Sequence, residues 1–120
     1  MMNTFVMTLT LFIGGNAWAD KPANNADAIT KAKAVYAVKC LTCHGDKGDG
    51  MGPAGKYMSP KPRNFAKDKF KLAKDGAKPT DAEVFNSITK GLDGTSMVAF
   101  ADLPEADRWA LAYYVQSFRK

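Results

Sequence analysis

Cys40 and Cys43 flank Leu41 and Thr42, and His44 follows at once. This C-x-x-C-H run constrains the fold more than anything else in the chain. Each thiol can add to one vinyl group of a porphyrin, and a histidine next in line can reach the iron as its proximal ligand. Cysteine and histidine also build zinc sites, and C-x-x-C builds redox centres. The rest of the sequence separates these readings. The 120 residues contain two cysteines and one histidine, all in this run. A closed zinc site would lack its fourth ligand, and a thioredoxin-like centre would need a strand before the motif that the flanks do not supply. The expectation is one covalently attached haem c, held through Cys40 and Cys43 and ligated by His44.

The residues before the motif place it in the cell. Met1 to Ala19 carry no charged side chain and run through the apolar stretch Phe5–Ile13 to Ala17-Trp18-Ala19. That ending is the small-x-small pattern of a signal-peptidase site. Residues 1–19 are expected to be a secretory signal peptide, although a basic n-region is missing, and 20–120 a single mature domain. The apolar stretch is short for a membrane span, and no second candidate follows. An exported, periplasmic protein is expected, with no transmembrane segment in the mature chain. Both thiols are committed to haem, so no disulfide is expected.

Helical punctuation is clear in three places. Ile29, Ala32, Tyr36 and Cys40 form one helical stripe that delivers the first cysteine, with Asn24 or Asn25 as cap. Thr80-Asp81-Ala82-Glu83 is a capping box, and Gly91 suits the end of the helix it opens. Leu103-Pro104-Glu105 opens a last helix with the stripe Leu111, Tyr114, Val115 and Phe118. No segment alternates convincingly as a strand, so the fold class is all-α with long loops. Two of those loops bear on the haem. The glycine-rich stretch Gly45–Gly55 has neither Walker nor dinucleotide spacing, and is expected to hug the haem edge, with the Pro53 carbonyl accepting Nδ1–H of His44. In the proline-stiffened stretch after it, Phe65 and Phe70 are expected to cover the porphyrin. Arg63, Tyr57 or Asn64 would bond a haem propionate, Arg63 being the best fit.

Charge is unevenly spread. The net charge is +5. Lys56, Lys61, Arg63, Lys67, Lys69, Lys71, Lys74 and Lys78 face only Asp68 and Asp75 in one stretch. Asp81, Glu83, Asp93, Asp102, Glu105 and Asp107 face only Lys90 in the next. Such a dipole can steer an acidic partner, or the lysines can simply be a solvated face. Nucleic acid is not an expected partner of an exported chain without a nucleic-acid motif. For the second axial position the residues leave Met51, Met58, Met97, a lysine or an open, water-holding site.

Taken together these stretches resemble the small class I c-type cytochromes, in particular soluble bacterial monohaem cytochromes c with a Gly-Asp-Gly-x-Gly-Pro-Ala loop and a Pro-x-Pro-Arg stretch. Tyr36–His44 looks like the family's first helix and attachment site. Gly94-Thr95-Ser96-Met97 with Ala99-Phe100 looks like its distal-methionine loop, and Arg108–Phe118 like its last helix. The resemblance implies a cytochrome c fold of three main helices, with Ala32 near Tyr114 where the first and last cross. It also implies Met97 as sixth ligand. Val98 stands where proline often follows that methionine, and Ala32 where glycine is common. The function implied is one-electron transfer between a redox donor and acceptor by a monomeric carrier, not an enzyme. The alternatives are a haem enzyme or gas- or peroxide-reactive protein with a weak sixth ligand, and a cytochrome subunit of a larger oxidoreductase.

Overall fold

The computed structural model describes residues 21–71, 73–74 and 78–119. The expected leader and Asp20 lie outside them. Helix α1 (Ala26–Lys39) leads into the single turn α2 (Leu41–His44), a 3-10 turn spans Gly55–Tyr57, and α3 (Asp81–Lys90) and α4 (Glu105–Ser117) complete the fold. No strand occurs among the described residues. The long helices are the three that the sequence punctuates.

Local chemistry fixes their ends. Asn25 Oδ1 accepts the Ala28 amide at 2.9 Å and caps α1. At α3 the capping box closes in both directions: Thr80 Oγ1 accepts the Glu83 amide at 3.1 Å, and the Glu83 carboxylate accepts the Thr80 amide at 2.9 Å. Its other oxygen takes the Lys74 amide at 2.9 Å. These bonds hold the Glu83 carboxyl below the usual range, since each favours the charged form. Helix α4 starts after Pro104, whose carbonyl takes the amides of Asp107 and Arg108.

The core lies where α1 and α3 pack on α4. Ala32 and Ala112, both fully buried, keep the α1–α4 crossing close, and the Tyr36 and Tyr114 rings meet edge-on there at 5.1 Å. Alanine at 32 therefore still allows a tight crossing. An ion pair from Lys31 to Asp107 at 2.8 Å bridges the same two helices. With the lysine largely in water it contributes about 0–1 kcal/mol. On the other side of α4, Phe85 stacks on Trp109 at 4.1 Å. The inner surface of this three-helix framework is one wall of a deep cleft.

Candidate haem site

Cys40, Cys43 and His44 fall within one helical turn, where residues three and four apart share a face. The His44 amide bonds the Cys40 carbonyl at 2.9 Å and closes that turn. All three side chains line the cleft, and both thiols are free of disulfide. Burial and the neighbouring Cys43 push the Cys40 thiol up to about 11. Burial pushes His44 down, and its hydrogen bond to a carbonyl only partly offsets this. The imidazole is therefore neutral at physiological pH, the state in which it can ligate a metal.

The carbonyl that meets His44 is that of Arg63, at 3.3 Å from Nδ1. Pro53, expected in this role, is exposed and does not line the cleft. The reason lies in the glycine-rich loop, which hugs the motif's backbone and not the cleft. A helical turn ends with unpaired carbonyls, and the loop supplies donors to them. Gly52 N–H reaches the Cys43 carbonyl at 3.2 Å, and Ala54 N–H the Thr42 carbonyl at 2.9 Å. A Cβ on Gly55 would sit 2.0 Å from the Cys43 carbonyl oxygen, and one on Gly52 2.4 Å from that of Thr42. Pro53 is carried along this outer path, and the chain returns to the imidazole ten residues later. There Phe65 stacks on His44 at 4.4 Å with planes 23° apart. Tyr36 donates its hydroxyl proton to the Gly45 carbonyl at 2.6 Å, anchoring the residue just beyond His44. Burial raises the Tyr36 pKa far above its ordinary value, so the phenol stays a donor.

The cleft holds roughly 1180 Å³ of space between protein atoms, part of it open to solvent, and Val84, Ile88, Leu111 and Val115 form its floor. Phe65 and Phe70 line it, as expected. So do Met97 and Met58, whereas Met51 is 55% exposed and lies elsewhere. Of the three residues considered for a propionate, Arg63 alone lines the cleft. Tyr57 is 81% exposed, and Asn64 spends its side-chain oxygen on the Ala66 amide at 3.0 Å. Lys39, Lys61 and Lys71 join Arg63 among the lining residues, and among the described residues no carboxylate does. The sequence signals Lys61 through the basic stretch. The same stretch includes Lys71, although not its bond to the Asp93 carbonyl, and Lys39 is visible only once Cys40 is known to face the cleft.

Met97 sits on a tightly bonded loop after α3. Its amide donates to Thr95 Oγ1 at 3.2 Å, its carbonyl accepts from Leu92, and the Phe100 amide ties the loop's far end to the Ile88 carbonyl at 2.9 Å. Its side chain packs against the core cluster. An apolar slot with two thiols, a neutral imidazole and a cationic mouth fits a porphyrin bearing two propionates.

Comparison with known proteins agrees. Residues 27–115 match the family model described as cytochrome c oxidase, cbb3-type, subunit III. The chain belongs to this cytochrome c family. It is 32% identical over 94 residues to the thiosulfate dehydrogenase of Stutzerimonas stutzeri (strain A1501), covering 77% of this chain and 28% of the relative. Among solved structures it resembles the Kuenenia stuttgartiensis reducing HAO-like protein complex, with TM-score 0.72 and 30% identity over 83% of this chain and 47% of that one. It also resembles the KustC0563 c-type cytochrome, with TM-score 0.58 and 28% identity over 74% of this chain and 98% of that one. The chain thus spans less than a third of the dehydrogenase and about half of the complex's chain. A covalent haem c follows from membership, Cys40 and Cys43 having the required spacing. So does the all-α cytochrome c fold. Among the described residues no helix is long and apolar enough to cross a membrane.

Proposed function

We propose that this haem electron-transfer protein is an exported one-electron carrier, cleaved after Ala19, with its iron held between His44 and Met97. The carrying observation is that the cleft bearing Cys40, Cys43 and His44 is also lined by Met97 on a hydrogen-bonded loop. Bound haem supplies a reversible ferric–ferrous couple. The protein's tasks are to fill both axial positions, exclude water and tune the potential. Met58, the other lining methionine, follows the 3-10 turn whose Gly55 abuts the Cys43 carbonyl. That ties it to the motif side, so Met97 is the better partner for the opposite position. Arg63 at the mouth is the propionate partner. Were His44 and Met97 both to ligate the iron, no open position would remain for substrate, as a carrier needs. The ferric spectrum tests this: a low-spin spectrum is expected, and a high-spin resting protein would favour a peroxide- or gas-reactive haem instead.

The cationic mouth suggests what docks there. Lys39, Lys61, Arg63 and Lys71 outnumber the two propionate charges, which leaves a positive rim for an acidic redox partner. Reversing Lys61 to glutamate is expected to slow electron exchange with such a partner several-fold at low ionic strength. The effect should vanish near 1 M salt, where the Debye length is ~3 Å. Lys69, which does not line the cleft, is the internal control. Stopped-flow rates equally sensitive to both reversals would place docking elsewhere.

A second reading is favoured by the length comparison. Relatives carry this unit as part of longer chains, so permanent residence on a larger oxidoreductase is the alternative to a free monomer. Native mass measured in the exported fraction separates them: about 11 kDa plus one haem for a carrier, much more for a subunit.

A further inference from the structure

Arg119 lies beyond the end of α4, and its side chain reaches back to the loop that faces His44. Its Nη1 donates to two carbonyls, those of Phe65 and Asp68, each at 2.8 Å. The guanidinium carbon stands 5.3 Å from the centre of the Phe70 ring. The gripped segment meets His44 twice, through the Arg63 carbonyl at Nδ1 and through the stacked Phe65 ring.

We propose that Arg119 is a positioning residue for His44, holding segment 63–68 so that the Arg63 carbonyl keeps the hydrogen bond from Nδ1–H and sets the donor strength of the imidazole. The segment has other anchors: the Phe65 amide on the Gly48 carbonyl at 2.8 Å, the Asn64 amide on Asp68 Oδ2 at 2.9 Å, and the buried Phe65 ring, which packs on Phe118 at 5.8 Å. The second is internal to the segment, and the first leads to the glycine-rich loop. The ring contact leaves the backbone free to shift, and Arg119 grips that backbone directly from the end of α4 through the Phe65 and Asp68 carbonyls. The guanidinium serves two carbonyls from Nη1 while its flat face rests on the Phe70 ring, a combination the compact lysine ammonium lacks. A hydrogen bond from Nδ1–H gives the imidazole partial anionic character, which strengthens its bond to iron and favours the ferric state. Loosening that bond should raise the potential.

The inference rests on His44 being the proximal ligand, and the test keeps the two apart. In the haem-loaded ferrous protein, the His44 Nδ1–H resonance should be displaced by the porphyrin ring current and exchange slowly with deuterated solvent. Arg119→Met should make that exchange about tenfold faster and raise the midpoint potential. Arg119→Lys, which keeps the charge but loses the fork, should fall between the two and serves if the methionine variant yields no holoprotein. Wild-type exchange and wild-type potential in a folded variant, even with a lower melting temperature, would overturn the inference and leave Arg119 a structural clamp. The absence of any ring-shifted His44 resonance in the wild type would remove the ligand assignment, and the inference with it.

Discussion

Met97→Ala is expected to convert the ferric protein from low-spin to high-spin and to lower its midpoint potential by on the order of 0.2 V. A thioether is a soft ligand that stabilises the ferrous state, and alanine offers nothing in its place. The loop itself should survive, because its bonds to Leu92, Thr95 and Ile88 are made by backbone and by Thr95, not by the methionine side chain. Ligand loss is then separable from unfolding. One complication follows from the structure: Lys71 lines the same cleft and its ammonium bonds the Asp93 carbonyl on the same loop. A Met97→Ala variant that stays low-spin should therefore become high-spin in Met97→Ala/Lys71→Ala. Met51→Ala and Met58→Ala are expected to leave the ferric spectrum unchanged. Loss of the low-spin spectrum in Met58→Ala but not in Met97→Ala would transfer the distal position to the loop after the 3-10 turn.

The parts of this fold legible in the sequence are those set by short-range chemistry. Cap, capping box, terminal glycine and opening proline each operate within four residues, so α1 could be placed from its asparagine cap, α3 from Thr80–Glu83 and Gly91, and α4 from Pro104 and the acids after it. The attachment turn was legible for the same reason, since C-x-x-C-H is a statement about one turn of helix. The misreading came from the glycine-rich stretch. Glycines announce close approach by the backbone, but they do not name what is approached. The haem edge and the exposed carbonyls of α2 are equally suitable neighbours, and the structure chooses the carbonyls. Pro53 failed with that choice, because a loop committed to the outer side of α2 cannot also reach Nδ1. The Arg63 carbonyl had no sequence signature at all, since any residue carries one. The contacts of Arg119 and Lys71 were hidden likewise, their partners lying 54 and 22 residues away.

The choice of the carbonyls over the haem edge has a measurable consequence at Gly55. Gly55→Ala is expected to be among the most damaging single-methyl changes available to this chain. The new Cβ would stand 2.0 Å from the Cys43 carbonyl oxygen and 2.8 Å from that of Gly50. Both obstacles are backbone, so neither can swing aside as a side-chain tip would. Relief requires the loop to lift from α2, which breaks the bonds from Gly52 to Cys43 and from Ala54 to Thr42. At about 1 kcal/mol each, with the freed carbonyls left poorly paired, the loss should total about 2–4 kcal/mol. For a domain of this size the melting temperature should fall by about 4–8 °C per kcal/mol. Gly94 supplies the comparison. Its φ of 75° is costly for alanine, yet the nearest atom to a Cβ there is the Lys71 ammonium at 3.8 Å. Gly94→Ala thus carries backbone strain of roughly 1–2 kcal/mol and no collision. Thermal denaturation of the two haem-loaded variants decides the matter. A Gly55→Ala protein as stable as Gly94→Ala would mean that the glycine-rich loop does not rest on the attachment turn.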